Sequence, residues 1–240
     1  MNSQVLYKEL AEYYDLIYSR KKYRKEADKL FKLISRYKKS HGKDLLEIAC
    51  GTGHHLKCFK SKFNCTGLDI NENMLKIARR RVPGVKLVKG NMINFRLNKK
   101  FDVITSLFSS IGYVKTHSNL KKTINNFSNH LRKGGVVLIE PWFTKSAFHP
   151  GNPFLDTYSG RDIKIARASI SKVKNNISVL EMHYLIAEKN KGVRHYVDIH
   201  EMGLFEIKDT LKIMKNAGLN PFFLKNGLMK DWGIYIGLKE

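Results

Sequence analysis

Between residues 44 and 141, short β-rich runs alternate with longer helix-compatible stretches: "DLLEIAC", "CTGLDI", "VKLVKGNM", "FDVITSLF" and "GGVVLIEP" are the apolar members of the series. Connections of that length cross over between neighbouring strands, so the pattern predicts a largely parallel sheet. Residues 71–82, "NENMLKIARRRV", predict a helix with Asn71 as its N-cap and Pro83-Gly84 as its stop. A second helix is predicted over 118–132, closed by Gly134-Gly135.

After Pro141 the period falls to two. "IKIARASISKV", "SVLEMHYLIAEK" and "VRHYVDIHEMGLF" alternate polar and apolar residues, with turn signals at Asn175-Asn176 and Lys191-Gly192, which predicts an antiparallel meander over about 161–205. A helix resumes at "IKDTLKIMKNAG" and ends at Gly218; "PFFLKN" and "WGIYIGL" then read as a closing hairpin that rejoins the sheet with one antiparallel edge. The expected fold is α/β: a Rossmann-like, mostly parallel seven-stranded sheet with an antiparallel β meander inserted after the fifth strand. Residues 1–141 and 204–240 form the expected core and 142–203 the inserted subdomain. The first forty residues are helical in pattern and carry Tyr7, Tyr13, Tyr14, Tyr18 and Tyr23.

Composition changes this picture little. Apolar residues make up 42% of the 240, enough to fill a core, and no long uncharged apolar run predicts a membrane span. The start "MNSQVLYKEL" lacks the basic-then-apolar pattern of a secretory signal, so a cytoplasmic location is expected. Cys50, Cys58 and Cys65 have no zinc-ligand spacing, and no metal is expected. The outlier is a formal charge of +23, from 44 Lys and Arg against 21 Asp and Glu. It suits an acidic partner, yet the basic residues are spread along the whole chain, which favours a solvated surface.

The candidate chemistry sits in "LLEIACGTGHHL", residues 45–56. A loop for nucleoside triphosphates needs a lysine and a hydroxyl residue after its glycines, and His54-His55 stand there instead. A dinucleotide loop needs a third glycine at 56, which is Leu56. What remains is a tight strand-to-helix turn, with Asp69 at the tip of the second strand to accept both hydroxyls of a ribose. After the third strand, Asn91 can pair with an adenine edge while Met92 packs on the ring. The combination suits an adenosine without phosphates.

In these residues the sequence resembles the class I S-adenosylmethionine-dependent methyltransferases: "EIACGTG" is similar to their glycine motif, "GLDI" to their ribose-binding acid, "GNM" to their adenine turn and "FDVITSLFSSIGYV" to the strand lining the reaction cleft. The resemblance implies S-adenosylmethionine as cofactor, held by Tyr14, Ala49, Gly51, Gly53, Asp69, Ile70, Met74, Asn91, Met92 and Leu107. Farther along, "LFSSIGYV", "EPWF", "MHYLIAEKNKGVRHYVDIH" and "LFEIKDTLKIMKNAGL" look like the N,N-dimethyltransferases of nucleotide-linked deoxyaminosugars. That resemblance implies a small-molecule amine acceptor and a meander that covers the substrate and helps form a homodimer. Asn91 stands where the family carries Asp, and Trp232 where an arginine aligns, so that a phosphate contact is either missing or supplied by Lys230.

Methyl transfer to an amine needs a deprotonated nucleophile held in line with the methyl group. Tyr113, Tyr14 and His117 are the candidate catalytic residues, and Tyr18, Tyr113, Trp142 and Lys230 the candidate acceptor contacts. Tyr113 is read as an orienting hydroxyl, because a phenol is too weakly basic to be a general base at neutral pH. His54 and His55 read as a solvated helix-start pair, and His183, His195 and His200 as cross-strand packing in preference to a shared metal site. Two alternatives compete: a methyltransferase of RNA or another nucleic acid, and a non-catalytic S-adenosylmethionine-binding protein. The first lacks the Asp/Asn-Pro-Pro-aromatic turn that clasps a flipped base, for which the chain has Phe108-Ser109-Ser110-Ile111. The second would not need the retained "LFSSIGYV" and "EPWF".

Overall fold

The computed structural model describes residues 4–229 and 232–240. Five strands, β1 (Asp44–Ile48), β2 (Asn64–Asp69), β3 (Lys86–Lys89), β4 (Phe101–Ser106) and β5 (Leu131–Ile139), run parallel, and the hairpin of β10 (Leu219–Met229) and β11 (Trp232–Lys239) completes the sheet. The strand order is β10-β11-β5-β4-β1-β2-β3, with β11 antiparallel to both its neighbours. Every residue of β4 is buried, as expected of a central strand covered on both faces. One cover comprises α2 (Tyr23–Tyr37) and α3 (His54–Phe59), which set Ala27, Leu30, Ile34 and Phe59 against Leu45, Val103 and Val136. The other comprises α5 (His117–His130) and α6 (Ile207–Asn216), packing Leu120, Ile124, Phe127 and Met214 against Leu46, Ile104 and Val137.

Helix α4 (Glu72–Arg81) follows Asn71 as expected. Helix α5 differs from its predicted span. The Thr116 hydroxyl accepts from the Asn119 amide and starts the helix at His117, and Leu131 already pairs with Phe101 as the first residue of β5. Gly134 and Gly135 therefore do not stop a helix. They lie in an irregular stretch of β5, where Gly134 (φ 75°) turns its carbonyl to accept from the amides of Lys39 and Ser40.

Residues 154–203 form a separate four-stranded antiparallel sheet, β6 (Phe154–Ser159), β7 (Ile163–Lys174), β8 (Ile177–Glu188) and β9 (Gly192–Gly203). Its turns fall at the expected Asn175-Asn176 and at residues 189–191. Strand β6 lies outside the predicted meander, since it is short and close behind Pro150, Gly151 and Pro153. One face of this sheet packs Ile165, Tyr184 and Ile186 on Leu6, Leu10, Tyr14 and Ile17 of the N-terminal segment, which contains α1 (Ala11–Ile17). The other face leaves Leu155, Ile170, Leu185, Val193 and Val197 exposed. Among the described residues, no helix is long and apolar enough to cross a membrane, and the three cysteines are free thiols.

The glycine turn meets the sheet by a route other than the dinucleotide one. Leu56 of α3 lies over Gly67 of β2, where an added Cβ would come within 2.6 Å of the leucine Cδ1. The absence of a side chain at 67 supplies the close approach of helix and strand that a glycine at 56 provides in dinucleotide folds.

Candidate active site

Beyond Ile48 the backbone takes left-handed conformations at Ala49 (φ 53°), Gly51 (φ 54°) and Gly53 (φ 81°). Alanine pays about 1 to 3 kcal/mol for that geometry, a strain that clusters where a ligand is held. The turn brings the Gly51 amide to Asp69 Oδ2 at 2.8 Å, while the Asn71 amide donates to Oδ1 at 2.8 Å. Asp69 is thus fixed from both sides. Burial pushes its carboxyl pKa up against the lowering effect of those amides, and each oxygen keeps a lone pair for a further donor.

A cleft opens at the carboxyl ends of β1, β2, β3 and β4, the end of a parallel sheet at which such folds bind ligands. Of the residues expected to hold the cofactor, Tyr14, Ala49, Gly51, Asp69, Ile70, Met74, Asn91, Met92 and Leu107 line it. Gly53 does not; it sits beneath the turn against α4, with the Ala78 Cβ 3.3 Å from where its own Cβ would be. Asn91 Oδ1 accepts from the Ile93 amide at 3.0 Å, which fixes the side-chain flip and leaves the –NH₂ group as a donor of the kind an adenine ring nitrogen accepts.

Glu47 is a cleft residue that the sequence reading missed. Its signal was a lone carboxylate inside the apolar run "DLLEIAC". It is 2% exposed, and Oε2 has no hydrogen-bond partner among the described residues. Burial raises the Glu47 pKa, and a cation beside the unpartnered oxygen would offset that cost, as the α-ammonium of S-adenosylmethionine would. The other Glu47 oxygen faces His55 Nδ1 at 3.5 Å, and His55 Nε2 lies 2.9 Å from Glu26 Oε2. Burial alone would lower the His55 pKa, but the two carboxylates raise it to about 9. His55 is therefore a buried imidazolium and not the solvated residue expected. His54, part-exposed, is bound to Asp15 at 3.0 Å and stacks on Tyr23.

On the acceptor side, Tyr14 and Tyr113 line the cleft together with Tyr7. The hydroxyls of Tyr7 and Tyr113 are 2.7 Å apart, and the Tyr113 hydroxyl lies 2.5 Å from His200 Nδ1. Burial holds the Tyr113 pKa well above its ordinary value, so the group is a neutral hydroxyl. Tyr18 stands behind Tyr14, with ring centroids 4.8 Å apart, and its hydroxyl accepts from Arg167 at 3.0 Å.

Three further assignments fall differently. His117 lies away from the cleft-lining residues, on Phe205 and 3.9 Å from Asp209, because Lys115 (φ 62°) turns the chain away after Val114. Trp142 donates to Ser178 Oγ at 2.8 Å and joins Phe143, Phe148 and Trp232 in an aromatic cluster behind Gly112. Lys230 lies outside the described residues. Of the three meander histidines, His183 and His195 stack across β8 and β9 on the outward face, with ring centroids 5.2 Å apart, whereas His200 is 2% exposed and faces inward to Tyr113. The signal for His200 was "DIH", which puts Asp198 and His200 on one face of a strand.

The cleft lies at the ends of a mostly parallel sheet closed by an antiparallel hairpin, and the match of residues 45–135 to the family model described as a methyltransferase domain makes the protein a methyltransferase. The chain is 37% identical over 231 residues to dTDP-3-amino-3,4,6-trideoxy-alpha-D-glucopyranose N,N-dimethyltransferase of Streptomyces venezuelae, covering 95% of this chain and 97% of the relative. It is 34% identical over 233 residues to dTDP-3-amino-3,6-dideoxy-alpha-D-glucopyranose N,N-dimethyltransferase of Streptomyces fradiae, covering 96% and 91%. The crystal structure of Streptomyces venezuelae DesVI superposes with a TM-score of 0.90 at 36% identity, over 96% of this chain and 98% of that one. S-adenosylmethionine-bound CalS10 from Micromonospora echinaspora, an amino pentose methyltransferase, superposes with a TM-score of 0.82 at 28% identity, over 92% of each chain. The chain belongs to the class I S-adenosylmethionine-dependent methyltransferases, in the family of the nucleotide-deoxyaminosugar N,N-dimethyltransferases.

Proposed function

We propose that the enzyme transfers a methyl group from S-adenosylmethionine to the amino group of a nucleotide-linked deoxyaminosugar. The observation that carries the reading is the meeting, in one cleft, of a nucleoside site built on Asp69 and Asn91 with the buried hydroxyl pair of Tyr7 and Tyr113. Full-length similarity to N,N-dimethyltransferases of dTDP-aminosugars supports it.

When bound, the cofactor supplies an electrophilic methyl group. The protein's part is to hold the amine in line and keep water out, and orientation of this kind lowers a barrier by about 7 to 11 kcal/mol. Tyr14 and Tyr113 are assigned to the amine, with Tyr18 supporting Tyr14 from behind. Only a few basic residues can touch two phosphates, Lys230 being our assignment, so most of the +23 charge serves solvation in the cytoplasm. Labelled S-adenosylmethionine offered with a dTDP-aminosugar and with total RNA at matched salt is expected to label the sugar nucleotide alone. Sustained labelling of RNA with none of any small amine would overturn the reading.

We also infer that residues 142–203 form a subdomain that covers the acceptor and makes a homodimer through its outer face. Leu155, Leu185 and Val193 are 66%, 51% and 69% exposed there, a concentration of apolar side chains that marks an association surface. The double variant Leu185→Glu, Val193→Glu is expected to sediment as a monomer at concentrations where the unmodified protein is a dimer. An unmodified protein that sediments as a monomer at all concentrations would remove the assignment.

A further inference from the structure

Beyond orienting the amine, the cleft contains a way to remove its proton. We propose that Tyr7, Tyr113, His200 and Asp198 form a proton relay that deprotonates the acceptor ammonium before methyl transfer. The inference rests on the amine-acceptor reading above, and its direction follows from the two backbone amides and the histidine that surround the Asp198 carboxylate.

Asp198 is fully buried and accepts from the amides of Val5 at 3.0 Å and Leu6 at 2.8 Å. Burial opposes its charge, but His200 and those amides hold its pKa below the ordinary value. An ionised carboxylate only accepts, so His200 Nε2, at 2.9 Å from Asp198 Oδ2, carries the hydrogen. In the relay's resting state Nδ1 is the lone pair to which the Tyr113 hydroxyl, at 2.5 Å, donates. With its hydrogen committed, the Tyr113 oxygen accepts from the Tyr7 hydroxyl at 2.7 Å. Every donor in the chain points away from the cleft, and the Tyr7 oxygen is left with lone pairs at the cleft wall. A carboxylate that fixes a histidine tautomer so that the other nitrogen takes a proton is the logic of hydrolytic triads; here two hydroxyls extend it to the substrate.

The step balances as follows. An N–H bond of the ammonium breaks and its proton bonds to the Tyr7 oxygen; the Tyr7 hydrogen moves to Tyr113 and the Tyr113 hydrogen to His200 Nδ1. The amine keeps the electron pair, and the positive charge now rests on an imidazolium facing Asp198. Nitrogen then bonds to the methyl carbon as the carbon–sulfur bond breaks with its pair going to sulfur. The proton on His200 leaves by the same chain to water when the products depart. Tyr7 and Tyr113 are catalytic in this scheme, and His200 and Asp198 are positioning residues that act through them.

Other titratable groups face the relay, among them Tyr14 and Tyr18 from α1 and its end, Asp69 from β2 and Tyr184 from β8. Burial raises the pKa of these three tyrosines, so none of them supplies a base at neutral pH.

The test compares kcat against pH for the unmodified enzyme, His200→Gln and Tyr113→Phe, with a dTDP-aminosugar as acceptor. Near pH 7, where the amine is protonated, both variants are expected to lose about 100-fold in kcat, with KM for S-adenosylmethionine unchanged. The loss should shrink as pH rises and solution supplies the free amine. The same fractional loss at every pH would overturn the relay. Tyr113→Phe removes one oxygen and keeps the ring, so it decides the matter if His200→Gln fails to fold. Nitrogen-15 spectra of His200 in the protein without any ligand read the tautomer directly: hydrogen on Nε2 is expected, and hydrogen on Nδ1 overturns the relay whatever the acceptor is. An unmodified enzyme inactive on all aminosugars would instead overturn the acceptor assignment, leaving the spectra to decide the relay.

Discussion

Asp69→Ala is expected to weaken S-adenosylmethionine binding by at least about 100-fold in calorimetry. A hydrogen bond to a charged group is worth about 1.5 to 3 kcal/mol, and each 1.4 kcal/mol is tenfold in affinity. The loss of ribose contacts is only part of the effect. Asp69 also holds the Gly51 and Asn71 amides at 2.8 Å each, so the variant frees the glycine turn and the start of α4 together. Asp69→Asn should be little better than alanine, because its –NH₂ must point at one of two backbone N–H donors. A dissociation constant within about twofold of the unmodified protein would show that the ribose is held elsewhere.

The second large effect is on stability. His55 rises from an ordinary pKa of 6.5 to about 9 between Glu26 and Glu47, which at about 1.4 kcal/mol per pH unit amounts to about 3 kcal/mol. A pKa raised by folding contributes its full stability below the unfolded value and loses it as pH climbs through the folded one. The unfolding free energy of the unmodified protein is therefore expected to fall by about 3 kcal/mol between about pH 6.5 and pH 9.5, relative to His55→Gln, which has no proton to lose. Urea melts across that window check it; parallel curves for the two proteins would show that the imidazolium stabilises nothing.

What the sequence shows well is what depends on neighbours along the chain. The alternation of strands and helices located the sheet, and the turn with its strand-tip Asp69 located the cleft, because backbone geometry and strand direction are local properties. What it hides depends on distant segments. Val5 and Asp198 are 193 residues apart, and nothing near either one announces the bond. His55 looked solvated because a helix start is usually wet, and the arrival of Glu26 from α2, beside Glu47 of β1, makes it a buried cation. The error at His117 has the opposite origin: nearness in sequence to Tyr113 suggested nearness to the amine, and one left-handed residue, Lys115, separates them.

The wall of the cleft formed by Tyr7 and Tyr14 belongs to the first eighteen residues, yet much of what fastens that segment lies on the meander: Asp198 on the amides of Val5 and Leu6, Glu188 and Arg194 on Tyr13, Arg167 on Tyr18. Two stretches far apart along the chain thus behave as one heritable unit. A chimera that borrows a relative's meander to change the accepted sugar would leave the native N-terminal segment fastened to foreign side chains, and would need that relative's first eighteen residues as well.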